Sequence, residues 1–104
     1  MATGTISKEI IKISKTVTIA AASSTTEYTD TTIIFGELTT TTAIPLSVVL
    51  RSSSGVYNYF VLPYGNTVDM KTYVYQWNSS THTLTIRNFA NVWNNYEITV
   101  IFLQ

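Results

Sequence analysis

The chain has 104 residues, enough to bury one core but not two, and combines 45% hydrophobic with only 12% charged residues, about half the usual charged share of about 25%. Its formal net charge of +0 supplies no long-range field to draw in nucleic acid or an anionic membrane surface. With Cys 0 there is no disulfide framework, no thiolate nucleophile and no cysteine-based metal site.

Solubility must then come from Thr, Ser and Asn, and Thr both fits a pleated surface and faces water. The first twenty residues carry Lys8, Glu9, Lys12 and Lys15, which interrupt any signal-peptide core. No apolar run approaches the roughly 20 residues that span a bilayer, so membrane insertion is not expected.

In chain order, Ile11, Ile13, Val17, Ile19 and Ala21 alternate with Lys12, Ser14, Thr16, Thr18 and Ala20, which predicts a long strand with one buried face. A polar turn over Ala22–Thr26 leads to a second strand over about Glu27–Ile34, broken at Gly36. Thr39–Thr42 reads as an exposed connection where substitutions at Thr40 or Thr41 should do almost nothing.

The third strand places Ile44, Leu46, Val48 and Leu50 on one face, with Pro45 at its start or edge because proline donates no ladder bond. Ser52–Gly55 turns the chain into a fourth strand, Val56–Leu62, and Pro63–Asn66 into a fifth, Thr67–Trp77. In the fifth, Val68, Met70, Thr72 and Val74 oppose Asp69, Lys71, Tyr73, Tyr75 and Trp77, an aromatic set for a solvent face. Thr83–Asn88 is the sixth strand, and a polar loop, Asn91–Asn95, carries Trp93. The last strand, Tyr96–Leu103, turns Tyr96, Ile98, Val100 and Phe102 inward and ends apolar on both faces, so its far end needs cover.

No segment has a sustained helical period. Seven strands at hairpin spacing predict an all-β fold, an antiparallel β-sandwich, with a jelly roll or small barrel as alternatives. The expected organisation is a short N-terminal segment over 1–8 and one domain over 9–104.

Catalysis needs a nucleophile, a base and an orienting group, or convergent metal ligands. The one histidine, His82, shares a predicted turn with Ser79 and Ser80 and would need a carboxylate such as Asp69, so we read it as a solvent-exposed turn residue. Glu27 and Asp30 are the nearest acids and fall on opposite faces of an extended chain. No zinc site can be built, and only a weak calcium site using Asp30 and loop carbonyls stays open. Asn78-Ser79-Ser80 matches a glycosylation sequon and reads as a plain turn. The expectation is a protein without catalytic residues, metal or cofactor.

The aromatic residues carry the interest. Tyr57 and Tyr59 share one strand face, and Tyr73, Tyr75 and Trp77 another, so pairing of the two strands would make one patch. It would serve as the second sheet's core face, an oligomer interface or a stacking platform for a sugar. Trp93, among amides in a loop, is a further candidate contact.

Three stretches, KTVTIAAASSTTEYT from Lys15, IPLSVVLRSSSGVYNYFVLPYGNTVDMKTYVYQWNSSTHTLTIRN from Ile44 and YEITVIFLQ at the end, give the chain a familiar pattern. It resembles the small distal domains at the C-termini of phage and prophage tail fibres and related virion proteins of gut Firmicutes, over roughly Lys15 to Gln104. The likeness lies in a Thr/Val first strand, a Ser/Thr turn, a GN-TV turn and an apolar last strand, without a signature residue.

The resemblance implies a trimeric β-sandwich with a structural role in the virion, packed against other virion proteins and able to touch a host surface glycan or protein. Met1 and a short leading segment suggest that no fibre shaft precedes the domain, which brings in a capsid decoration or head-fibre protein as an alternative. A free-standing carbohydrate-binding module is the other. The chain is expected to be made in the host cytoplasm and released by lysis. Ile101, Phe102 and Leu103 are the expected oligomer contacts.

Overall fold

A computed structural model of the protein describes residues 8–22, 28–52, 59–65, 73–89 and 94–104. They form seven strands: β1 (Ile10–Ile19), β2 (Thr29–Ile34), β3 (Ile44–Ser52), β4 (Tyr59–Val61), β5 (Tyr73–Asn78), β6 (Thr83–Asn88) and β7 (Asn94–Leu103). Two antiparallel sheets result, one of four strands in the order β1-β7-β3-β4 and one of three in the order β2-β6-β5. The expected all-β fold of two antiparallel sheets is what is seen. Only β3–β4 and β5–β6 are neighbours in both chain and sheet; the other connections cross between sheets or skip strands.

Alternation decides which residues meet between the sheets. From β7, Tyr96, Ile98, Val100 and Phe102 all turn inward and are buried, and β1 contributes Ile13 and Ile19. Leu84 and Ile86 of β6 and Ile33 of β2 close the core from the opposite sheet. β7 is hydrogen-bonded on one side to β1, with Ile13 opposite Val100, and on the other to β3, with Val48 opposite Val100. It is therefore the strand with the most to lose from an inward polar substitution.

Lys15 stands on the inward row of β1 yet stays partly exposed. Its stem lies along the sandwich edge, while its Nζ donates to the Ile34 carbonyl at 3.3 Å and meets the Glu37 carboxylate at 3.1 Å. Long cationic side chains bury their stems in this way and keep the charge wet. A backbone hydrogen bond first, and the Lys15 ammonium second, hold the Glu37 carboxyl below its ordinary value.

The first half of β3 departs from the simple alternation. Ile44 lies opposite Leu103 and Pro45 opposite Phe102, but Ser47 rather than Leu46 lies opposite Ile101. One extra residue there is a β-bulge, and a one-residue offset sends side chains to the other face. Val48 and Leu50 are buried, whereas Ile44 and Leu46 are 47% and 50% exposed, against the expectation that all four share one face. Pro45 sits beside the bulge, a tolerated place for a residue that donates no ladder bond.

Rings fill the two ends of the core. At one end Phe60 meets Tyr73 and Tyr96 edge-on, and the Tyr73 and Tyr96 hydroxyls are hydrogen-bonded at 2.9 Å. At the other, Phe35, Trp77 and Phe102 pack together, and the Trp77 indole N–H donates to the Ala43 carbonyl at 2.8 Å. Among the described residues, no helix is long and apolar enough to cross a membrane.

Candidate binding faces

The aromatic residues do not form one patch. β4 pairs with β3 and β5 with β6, so Tyr59 belongs to one sheet and Tyr73, Tyr75 and Trp77 to the other. Tyr59 points outward and is exposed; the β5 set points inward, with Tyr73 buried and Tyr75 and Trp77 packed against the core. Of the three readings open for the β5 set, its position is that of a core face. Burial, and then the Tyr96 hydroxyl, push the Tyr73 phenol well above its ordinary value; burial, and then Tyr64, raise that of Tyr75. Tyr57 and Trp93 lie outside the described residues, as do Glu27 and Asp69.

The three expected oligomer contacts also divide. Phe102 is fully buried between the sheets and is a core residue, because it falls on the inward row with Val100. Ile101 and Leu103 fall on the outward row and are partly exposed.

That outward face of the four-stranded sheet can be read row by row from the register. Ile10, Leu103 and Ile44 lie abreast; next come Lys12, Ile101 and Ser47; then Ser14, Thr99, Val49 and Val61; then Thr16, Glu97, Arg51 and Tyr59. Ile10, Ile44, Val61 and Tyr59 are exposed. A shallow hollow of about 510 Å³ crosses the middle of the face between Tyr59 and Ile101. Ser14 and Thr99 share a hydrogen bond at 2.9 Å across it. Lys12, Arg51 and Glu97 enter no ion pair among the described residues.

The outward face of the three-stranded sheet is mostly polar, with Ile34 exposed at one end and Val74 fully buried at the other. Its rows are Asp30, Arg87 and Val74; Thr32, Thr85 and Gln76; Ile34, Thr83 and Asn78. Arg87 donates through Nε and a terminal nitrogen to the two Asp30 oxygens at 2.9 and 3.0 Å, and its guanidinium lies 3.8 Å from the centre of the Tyr28 ring. That pair raises the Arg87 pKa, chiefly through the hydrogen bond to Asp30. Both Asp30 oxygens thus accept from Arg87.

Beside this face, Pro63–Gly65 runs along the free edge of β5. Tyr64 bridges to Tyr75 in parallel, Gly65 N–H donates to the Tyr75 carbonyl at 3.0 Å, and Tyr75 N–H donates to the Pro63 carbonyl at 3.0 Å. A groove of about 460 Å³ opens there, bordered among the described residues by Tyr64, Gly65, Gln76, Trp77, Asn78, Thr83 and Thr85. The sequence reading treated Tyr64 as part of a plain turn. An aromatic inside a Pro-x-Gly turn was the available signal, since turns lie at the surface.

His82 closes the β5–β6 hairpin with a left-handed φ of 52°. It is partly buried rather than solvent-exposed: its Nε2 lies 2.6 Å from the Thr40 carbonyl and its ring stacks on Trp77. The Asn78 side-chain oxygen accepts from the Ser80 N–H and hydroxyl at 3.1 and 2.7 Å, which fixes the same turn. Neither Ser79 nor Ser80 hydrogen-bonds His82. Among the described residues, no three of His, Cys, Asp and Glu come together to hold a metal ion. Comparison of the chain with protein families, with curated proteins and with solved structures returned no match.

Proposed function

We propose that this chain is a non-enzymatic structural or adhesion domain of a virion, of the tail-fibre or baseplate class, which assembles into a homo-oligomer through the outward face of its four-stranded sheet. The pattern shared with distal tail-fibre domains over residues 15–104 supports the virion part. One observation carries the assembly part: Ile10, Ile44, Val61 and Tyr59 are exposed on a face that also holds Ile101 and Leu103.

Large contiguous apolar patches are uncommon on monomers. Four strands spaced about 4.8 Å apart and up to ten residues long offer a flat area on the order of 600 Å², more when corrugated, against about 800 Å² per partner in a standard interface. Lys12 and Arg51 stand on the same face as Glu97, so a second copy can meet both signs of charge. The expected trimer gives each copy cover for the end of β7.

Sedimentation velocity at micromolar concentration tests the assembly. The expected result is a trimer that dissociates on Val61→Lys; a strictly monomeric wild type overturns it. Virion membership is read separately from the gene neighbourhood, where portal, tape-measure, baseplate or lysis genes are expected.

A further inference from the structure

We propose that Asn78 is an acceptor for N-linked glycosylation of the folded chain, at the turn formed by Asn78, Ser79 and Ser80. The site lies on the other sheet from the assembly face and does not depend on it.

Asn78-Ser79-Ser80 is the one Asn-x-Ser/Thr triplet in the sequence, the pattern that N-glycosyltransferases take as acceptor. A plain turn needs only the Ser80 N–H. The fold brings the Ser80 hydroxyl to the same atom: Asn78 Oδ1 accepts from the Ser80 N–H at 3.1 Å and from the Ser80 hydroxyl at 2.7 Å. A backbone N–H only donates, so the atom it meets is the side-chain carbonyl oxygen. Nδ2 is then the other branch, and it makes no hydrogen bond among the described residues.

That arrangement suits the chemistry. An amide nitrogen is a poor nucleophile, because its lone pair is shared with the carbonyl, and it becomes a good one when a proton leaves. The charge of the deprotonated amide gathers on the oxygen, where Ser80 already places two donors. The co-substrate is a nucleotide-activated hexose, a donor class of the cytoplasm, where the chain is expected to be made. One Nδ2 proton passes to a base of the transferase, and the Nδ2 electron pair forms the bond to the sugar C1. The C1–O bond breaks, and its pair leaves with the nucleoside diphosphate.

The turn is both accessible and held in place. Asn78, Ser80 and Thr81 are exposed at the tip of the β5–β6 hairpin. Beneath them His82 takes its φ of 52°, stacks on Trp77 and meets the Thr40 carbonyl, so the tip is shaped before an enzyme arrives. Preformed geometry lowers the ordering cost of binding.

The test incubates the whole folded chain with an Asn-x-Ser/Thr-specific N-glycosyltransferase and UDP-glucose, with a synthetic peptide of residues 76–83 as the unstructured comparison. Intact mass and peptide mapping read the product. The folded chain is expected to gain one hexose, at Asn78. Asn78→Asp keeps an oxygen for Ser80 but lacks Nδ2, and should gain none. Ser80→Thr should be modified as wild type is, and Ser80→Ala about tenfold more slowly, the rate equivalent of one lost hydrogen bond. Each variant should melt as wild type does, since both positions are exposed. Absence of hexose on the folded chain, whether or not the peptide accepts it, overturns the proposal. So does transfer to another residue, or modification of Ser80→Ala at the wild-type rate. Modified and unmodified chains should show the same oligomeric state in sedimentation, so failure of the acceptor site and failure of assembly are read independently.

Discussion

The two sheets contribute alike to the space between them and differ on the faces they turn away. Behind the buried rows, the three-stranded sheet carries Thr32, Thr83, Thr85, Gln76 and Asn78 with the Asp30–Arg87 pair, and of its two apolar residues there Ile34 is exposed and Val74 is fully buried. Behind its own buried rows, the four-stranded sheet carries Ile10, Ile44, Val49, Val61, Tyr59, Ile101 and Leu103. Thr is abundant in both, so composition alone does not separate them. The separation comes from register: the bulge at Leu46 turns Ile44 outward beside Leu103 and adds apolar surface at the end where β7 is apolar on both sides. One face is mostly polar; the other holds more of the exposed apolar strand residues.

The largest effect is expected where the comparison vanishes, in the core that both sheets share. Val100 is fully buried on β7 between β1 and β3, and Val100→Asp would put a carboxylate there without a partner. A loss of about 4 kcal/mol or more is expected, enough to unfold a small domain, and thermal melting monitored by circular dichroism reads it. An unchanged melting temperature would mean that the inward row of β7 is misassigned.

Next comes a direct contrast of the two outward faces. A lysine introduced at Val61 and one introduced at Thr32 both replace an exposed strand residue, so each should change the stability of the isolated subunit by no more than about 0.5 kcal/mol. Only Val61→Lys should change the mass seen in sedimentation. Equal behaviour of the two variants would erase the distinction between the faces.

A smaller effect probes the aromatic end of the core. Tyr73→Phe leaves the buried Tyr96 hydroxyl without its 2.9 Å partner and should cost about 1–2 kcal/mol at neutral pH. The same residue sets a pH dependence. Folding holds the Tyr73 phenol protonated, whereas an unfolded tyrosine ionises near pH 10. Its contribution is therefore complete below about pH 10 and is lost as pH rises further, by about 1.4 kcal/mol per pH unit for one such group. Denaturation midpoints measured from pH 8 to 11 should fall more steeply for wild type than for Tyr73→Phe.

Much of this was legible in the sequence, and the reason is periodicity. Alternation together with turn signals located the seven strands, and alternation gave the facing of β1 and β7, because a strand with one wet face repeats every two residues. Three features escaped. A period of two cannot anticipate a bulge, so alternation puts Ile44 and Leu46 on one face with Val48 and Leu50, where the fold does not. β5 has apolar residues on both sides, Val74 as well as Tyr73, and alternation then does not say which side is inward. Strand order decides whether Tyr59 and Tyr75 share a sheet, and order depends on contacts distant in sequence that no local pattern encodes. The groove beside β5 was hidden for the same reason, since its lining from β5 and β6 comes together only after the two strands pair.

The smallest expected effect sharpens the boundary between polar surface and core at the Thr39–Thr42 connection. The sequence treats Thr40 and Thr41 as equivalent exposed residues. In the fold Thr41 is exposed, whereas Thr40 is partly buried, gives its carbonyl to His82 and hides its Oγ1 without a hydrogen-bond partner among the described residues. A buried hydroxyl without a partner is a cost that an apolar group of the same shape avoids. Thr40→Val keeps the backbone carbonyl, and with it the contact to His82, so it should stabilise the domain by about 0.5–1 kcal/mol. Thr41→Val should change nothing measurable. Parallel urea titrations read the difference, and destabilisation by Thr40→Val would show that its hydroxyl is satisfied in solution.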